Sequence, residues 1–276
     1  MIASESVALD AIDATYLGDV RPGSIEVISG SDRLSKQIIE AKKAHCMFEY
    51  VYFSRPDSIV DGKSIYDVRI KLGENLVKQF NKTADLVIPV PDTSRPAAEE
   101  ISRKTGIPSS EGLIKNRYVG RTFIMPEQSA REHAVKTKMN PVKSVLKGKN
   151  IILVDDSVVR GTTTKKIVKL VKSAGAKNVD VWITCPPIVS PCFYGIDMKS
   201  HSELIAANNS VDEIREIMGA DSLNYQTIEG LKGAIGDDNL CTGCLTGIYP
   251  TDDAQQLADK MKEQTGLMRK KFFEKR

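Results

Sequence analysis

The chain has 276 residues, 41% of them hydrophobic and 27% charged, enough apolar material to bury a core in one or two domains. A net charge of +3 is too small to argue for a nucleic-acid partner, and no apolar run approaches the roughly 20 residues that a membrane helix needs. The amino terminus lacks the basic-then-apolar layout of a secretion signal, so a cytoplasmic location is the default expectation.

Residues 1–31 read as an odd beginning for a domain. Ser4-Glu5-Ser6 leads into a helical pattern through Val7, Leu9 and Ile12, and Arg21 to Ser24 is a turn signal before a short strand at 25–28. One short helix and one strand cannot enclose a core. A helix is predicted over 32–44 with Asp32 as its cap, followed by a strand over 47–53 that stops at the turn residues 54–58. Ile65, Val68, Leu72, Leu76 and Phe80 then recur at steps of three or four, which predicts an amphipathic helix over 64–80. Residues 85–90 read as a buried strand. The strand runs into Pro91-Asp92-Thr93-Ser94-Arg95-Pro96, a hydroxyl-rich loop that opens a helix over 97–104. Alone, that loop is no more than a capped helix start.

Between Leu113 and Lys149 nine Lys or Arg residues stand against only Glu127 and Glu132. The centre of this segment is Lys115-Asn116-Arg117-Tyr118-Val119-Gly120-Arg121. A charge run is usually a solvated face, and His133 within it reads as exposed rather than catalytic. This one lies directly upstream of the most informative stretch in the chain, however, and a basic lid over a polyphosphate would neutralise a leaving group and shut out water.

Residues 150–164 carry that stretch. Ile151 to Val154 is a β-branched run that reads as a strand buried on both faces. Asp155 and Asp156 follow at its carboxyl end, then Ser157, Arg160, Gly161 and Thr162-Thr163-Thr164, and a helical pattern through Ile167, Val168, Leu170 and Val171 ends near Gly175. Ligands of open α/β sheets sit beyond the carboxyl ends of strands. A Gly/Thr turn that opens a helix presents free N–H groups and a positive dipole end to a phosphate. Paired carboxylates suit sugar hydroxyls or Mg²⁺. The stretch therefore reads as a site for a phosphorylated sugar.

Beyond it come a strand over 178–184, short helices over 201–207 and 211–218 (the second capped by Ser210 or Asp212), and residues 223–228 leading to a helix that ends by Gly233. The βα alternation with short connections argues for a parallel sheet covered on both faces. Seven basic residues stand against three acidic ones over 255–276, which reads as a basic helical tail. Five cysteines, at 46, 185, 192, 241 and 244, are too few for a disulfide scaffold; Cys241 and Cys244 form a Cys-x-x-Cys pair that points to metal or redox chemistry. Four thiolates would accept an iron–sulfur cluster or structural zinc.

Val154-Asp155-Asp156-Ser157-Val158-Val159-Arg160-Gly161-Thr162-Thr163 resembles the phosphoribosyl-pyrophosphate (PRPP) loop of the type I phosphoribosyltransferases, and among them the glutamine PRPP amidotransferases. The resemblance spans residues 45–250, and it implies the type I fold, a parallel sheet with helices on both faces, plus a C-terminal helical extension from 251 to 276. By the same resemblance Asp155 and Asp156 face the ribose, Ser157 and residues 160–164 wrap the 5′-phosphate, and Thr93 and Ser94 belong to a pyrophosphate loop with Thr93 close to Mg²⁺. Lys115, Arg117 and Tyr118 would lie in the lid. Cys46, Cys192, Cys241 and Cys244 match the ligands of a 4Fe–4S cluster in the iron–sulfur subclass, whereas Cys185 has no counterpart.

The implied reaction is displacement of pyrophosphate from PRPP by ammonia to give 5-phosphoribosylamine, the entry step of purine synthesis, in a homo-oligomer with no nucleic-acid or membrane partner. Neutral ammonia needs no strong protein base. Residues 1–44, with Ala3 to Asp10 and Asp19 to Gly23, are similar to the last piece of that family's glutaminase domain and the linker after it. The catalytic N-terminal cysteine has no equivalent at Met1-Ile2, so ammonia is the expected donor, with glutamine used only if a glutaminase partner, such as a separate chain, is present. Transfer to another acceptor, or a PRPP-binding regulatory module without turnover, are the alternatives; the cysteine set counts against the first and the two phosphate loops against the second.

Overall fold

The computed structural model describes residues 1–116 and 139–273. Its centre is a four-stranded, wholly parallel sheet built from β6 (Leu86–Pro89), β9 (Asn150–Asp155), β10 (Asn178–Ile183) and β11 (Ser222–Tyr225), in the order β11-β10-β9-β6. Ahead of it lie α1 (Val7–Asp10), the hairpin β1 (Ser24–Ser29) and β2 (Asp32–Gln37), β3 (His45–Cys46), the short pair β4 (Ile59–Val60) and β5 (Lys63–Ser64), and α2 (Ile65–Gln79). Between and after the sheet strands come α3 (Arg95–Thr105), β7 (Leu113–Lys115), β8 (Met139–Pro141), α4 (Lys143–Leu146), α5 (Thr162–Ser173), α6 (Ile205–Asn208), α7 (Val211–Met218) and α8 (Ile228–Ile235). The chain closes with β12 (Leu240–Cys241), α9 (Gly243–Thr246) and α10 (Asp252–Phe273).

Successive strand residues face opposite sides of a sheet, and both sides here are apolar. Val87, Ile152, Val154 and Trp182 pack with Leu76 of α2 and Ala97, Ala98 and Ile101 of α3. Ile88, Ile151, Leu153, Val181 and Ile183 pack the other way, with Ile167, Val168 and Val171 of α5 and Ile214 and Met218 of α7. A sheet buried on both faces can present polar groups to solvent chiefly at its strand ends, which is where the charged loops lie. Among the described residues no helix is long and apolar enough to cross a membrane.

Most predicted elements form, with α2 capped by the Ser64 hydroxyl, which accepts from the Asp67 N–H at 3.2 Å. Three do not form as expected. Residues 32–44 are not a helix: 32–37 make β2, paired antiparallel to β1 from Ser24↔Gln37 to Ser29↔Asp32, with Arg33 and Ser35 both donating to Glu26 across the pair. The turn holds Gly30 at φ +59°, and cross-strand pairing outweighs helix propensity there. Residues 49–53 are not a strand but a π-helical turn, closed by the Ser54 N–H on the Glu49 carbonyl. Met47, Phe48, Tyr50 and Val51 are buried in helical rather than alternating order. The helix expected to stop by Gly233 runs on to Ile235 and ends at Gly236, φ +69°.

The amino-terminal segment is fastened to the body. Glu5 accepts from the Arg55 N–H at 2.8 Å and the Ser58 hydroxyl at 2.7 Å, Ser6 accepts from the Ile59 N–H at 2.7 Å, and Asp19 accepts from the Asp61 N–H at 2.8 Å. Ala254 and Ala258 bury the start of α10 against Tyr249.

Candidate functional site

β6 and β9 are neighbours in the sheet, so their carboxyl ends stop side by side, with the Val90 N–H on the Val154 carbonyl at 2.8 Å. That adjacency brings the loops 91–96 and 155–164 into one site. The Thr93 hydroxyl lies across the gap from Asp156, near enough to favour its charged form. The Pro91–Asp92 peptide bond is cis. Asp155 is buried, its carboxylate accepting from the Asp156 N–H at 3.0 Å and, more distantly, the Thr164 hydroxyl at 3.4 Å. Asp156 is half-buried and accepts from the Ser157 hydroxyl at 2.6 Å.

Burial pushes both carboxyls upward from the usual carboxylate range, and the charge of Asp156 raises Asp155 further. Two desolvated acids held side by side are costly as anions. A cation, or hydroxyl donors such as those of a ribose, would offset that cost.

Gly161 begins α5 at φ +72°, and a Cβ there would come within 2.6 Å of the Ile205 Cδ1. Both facts favour glycine. Thr162 and Thr163 are exposed at the helix start, whereas Thr164 turns inward to Asp155. The Arg160 side chain is held by Glu203 and reaches the Asp197 carbonyl at 3.4 Å, so its guanidinium is engaged outside the loop.

Behind the site the cysteines gather. Cys46 and Cys241 face each other in the parallel pair β3–β12, Cys244 follows in α9, and the Cys192 sulfur accepts from the Tyr194 N–H at 3.4 Å. Burial pushes the Cys46 thiol up to about 11, and the nearby Cys241 and Cys192 add to the rise. Cys244 is raised by burial and then by Cys46, Cys241 and Cys192. The four expected ligands thus share one neighbourhood, although among the described residues no group of three or more His, Cys, Asp or Glu is arranged to hold a metal ion. Cys185 is fully buried, raised by burial first and then by Cys244, and donates its N–H to the Asp156 carbonyl at 2.9 Å.

Residues 56–189 match the model of the phosphoribosyl transferase domain. The amidophosphoribosyltransferase of Methanothermobacter thermautotrophicus is 54% identical over 254 residues, covering 91% of this chain and 54% of that one. That of Bacillus subtilis is 47% identical over 259 residues, with the same coverage. The chain is a homologue of the amidophosphoribosyltransferases. A solved structure of the B. subtilis glutamine PRPP amidotransferase, complexed with ADP and GMP, superposes with a TM-score of 0.83 at 46% identity, over 90% of this chain and 56% of that one. The chain therefore spans about half the length of the amidophosphoribosyltransferases it matches. The expected type I phosphoribosyltransferase fold, a parallel sheet with helices on both faces, is the one observed.

In this amidophosphoribosyltransferase homologue the carboxyl end of the sheet unites Thr93, Asp155, Asp156 and Ser157, with the α5 start held to Asp155 through Thr164, whereas Ser94 is buried and its hydroxyl has no partner among the described residues. Lys115 joins them through an ion pair with Asp92 at 2.8 Å. Arg117, Tyr118 and the rest of the basic segment through residue 138 lie outside the described residues. Two side chains escaped the sequence reading. Arg69 is buried in α2, donating to the Tyr50 carbonyl at 3.0 Å and the Ser54 carbonyl at 2.8 Å, and its charge acts on Asp156. Burial lowers it to about 10. Its helical position looked like any solvated cation, and no local signal marked it. Arg95 stood inside the quoted loop, but only its ion pairs reveal its surroundings.

Proposed function

We propose that the chain transfers the phosphoribosyl group of PRPP to ammonia: the nitrogen bonds to carbon 1 as the bond from carbon 1 to the pyrophosphate oxygen breaks, giving 5-phosphoribosylamine and pyrophosphate, the first step of purine synthesis. The observation that carries this reading is the seating of loops 91–96 and 155–164 on neighbouring parallel strands, with paired carboxylates between them. One loop suits the pyrophosphate and the other the 5′-phosphate, on the free amides and positive end of α5. Asp155 and Asp156 would hold the ribose 2′- and 3′-hydroxyls and lie near the charge developing at carbon 1.

Mg²⁺ fits this donor set of hard oxygens at Thr93, Asp155 and Asp156; bound with PRPP it would neutralise the departing pyrophosphate. Cys46, Cys192, Cys241 and Cys244 would hold a 4Fe–4S cluster. Its role would be structural, since none of the four belongs to the phosphate loops. The convergence of Cys46 and Cys241 on paired strands with the buried Cys244 after them and Cys192 nearby supports that choice, because thiolates so placed call for a cation. A homo-oligomer in the cytoplasm, with glutamine as a nitrogen source only where a glutaminase partner is present, completes the proposal. The exposed Ile25, Val27, Ile28 and Leu34 of the β1–β2 hairpin support such a partner.

The test is pyrophosphate release from PRPP and Mg²⁺ with ammonium chloride, against parallel reactions with nucleobases. Release that depends on ammonium is expected. Release only with a nucleobase, or tight PRPP binding with no release, would overturn the reading.

A further inference from the structure

The loop 155–164 is gripped from outside by residues 197–205, which lie between β10 and α7. Three successive loop residues are met there, each by a different kind of contact. The Val159 carbonyl accepts from the Ile205 N–H at 3.0 Å. The Arg160 guanidinium is held by the Glu203 carboxylate and donates to the Asp197 carbonyl at 3.4 Å. Beside Gly161, the Ile205 Cδ1 would stand 2.6 Å from any Cβ. The gripping segment is itself fixed. Leu204 is fully buried, the Ser200 hydroxyl donates to the other Glu203 oxygen at 3.2 Å, and the Asn208 amide donates to the His201 carbonyl at 2.8 Å.

Backbone amides bind a phosphate well only when they already point to one place, because ordering a slack loop on binding costs conformational entropy. Thr162 and Thr163 are exposed and offer the turn little packing, so its fixing falls to the three residues before them. The Glu203 carboxylate also neutralises Arg160, whose side chain is thereby committed to the segment and not to a ligand of the turn.

Resting on the phosphoribosyl-transfer reading above, we propose that Glu203 and Ile205 are positioning residues for the 5′-phosphate, with Arg160 the tether through which Glu203 holds the loop. Glu203 fixes the loop by its side chain, and Ile205 fixes it by its N–H on Val159 and its Cδ1 against Gly161. The amides and hydroxyls at the start of α5 then meet the phosphate already arranged. The opposite arrangement, in which Arg160 is a phosphate ligand and Glu203 competes for it, predicts the opposite sign when Glu203 loses its charge.

The experiment titrates ribose 5-phosphate and, separately, Mg²⁺-pyrophosphate into the full chain by calorimetry. It also measures KM for PRPP and kcat in the ammonium-dependent assay, for the wild type, Glu203→Gln, Arg160→Gln and the double variant. The ion pair is partly exposed, so Glu203→Gln should weaken ribose 5-phosphate by about threefold and raise KM similarly, with a smaller change in kcat. Arg160→Gln should do the same, and the double variant should be no worse than either, because Glu203 acts only through Arg160. Pyrophosphate binding should stay at the wild-type level throughout, which shows that the variants are folded. Ile205→Ala should recover part of the ribose 5-phosphate affinity lost in Gly161→Ala, since it clears the space that the new Cβ needs. Tighter or unchanged ribose 5-phosphate binding in Glu203→Gln, or an equal loss of both ligands, overturns the proposal while wild-type turnover still stands. A wild-type chain that binds neither ligand and releases no pyrophosphate sinks the phosphoribosyl-transfer reading itself.

Discussion

The sheet edge at residues 91–96 and 155–164 and the cysteine neighbourhood behind it are both polar sites embedded in apolar surroundings, yet they are made differently. At the edge, each loop follows its strand without a spacer, so a few consecutive residues supply carboxylates, hydroxyls and helix amides together. The cysteines come from four places as far apart as residues 46 and 244, and only β3–β12 pairing and the packing of α9 bring them near one another. The edge is thus organised before any ligand arrives and carries its cost as desolvated acids. The cysteine site depends on the fold to assemble it, and whatever occupies it would contribute to folding stability.

The sharpest break between the two regions comes from the acids. Asp155→Asn with Asp156→Asn should lower ammonium-dependent turnover by about a thousandfold or more, the scale set by removing groups aimed at a developing charge. The free protein should become more stable. The folded pKa values are raised above the unfolded ones, so folding binds protons: stability is fully present below the unfolded carboxylate range and is lost as pH rises through the folded values. Above that window the Asn variant escapes the loss, and its Tm should exceed the wild type's by about 3 °C for each kcal/mol relieved. Melting curves at acid and neutral pH decide it; a Tm that falls at both would mean that the carboxylates hold the loop together.

At the other site the signs reverse. Cys241→Ser should lower iron content and Tm together, starting from about four irons per chain in protein purified without oxygen. A single zinc, or no metal, in the wild type refutes the cluster. Gly161→Ala should raise the KM for PRPP more than it lowers kcat, by about tenfold, because a left-handed residue with a side chain costs roughly 1–2 kcal/mol and the new Cβ displaces Ile205. An unchanged KM would place the 5′-phosphate elsewhere.

Ser94→Ala removes a buried orphan hydroxyl, so the Tm should hold or rise slightly while KM rises about threefold. The smallest effect belongs to Cys185→Ser. Cys185 touches the acidic loop only through its backbone N–H, and metal content and turnover should both stay near wild type. Loss of metal in this variant with retention in Cys192→Ser would redraw the ligand set.

How much could be read from the chain alone follows the same division. The strand-acid-acid-Gly-Thr-helix order was legible because its parts are adjacent and chain direction alone puts the carboxylates at a strand's end. Periodicity located α2, α5 and α7 for a similar reason, since a helix buries a face that recurs every three or four residues. The 32–37 segment was misread because its helical propensity is a weak local preference. The cross-strand pairs with β1 that outweigh it depend on a turn fixed at Gly30. Residues 47–53 misled likewise, since an aromatic and β-branched run fits a strand until the core takes up Met47, Phe48, Tyr50 and Val51 together.

What the sequence by itself determined, then, is the chemistry carried by consecutive residues: the acids, hydroxyls and glycine of the loops 91–96 and 155–164 and the Cys-x-x-Cys pair. Tertiary structure alone decided which of these meet. The neighbouring places of β6 and β9 join two loops some sixty residues apart, Arg95 finds Glu111, Arg69 lies buried within reach of Asp156, and Cys46 faces Cys241. Spacing along a chain governs contacts within a turn or a helix, whereas contacts between distant segments follow from how apolar faces pack, and the whole core settles that at once.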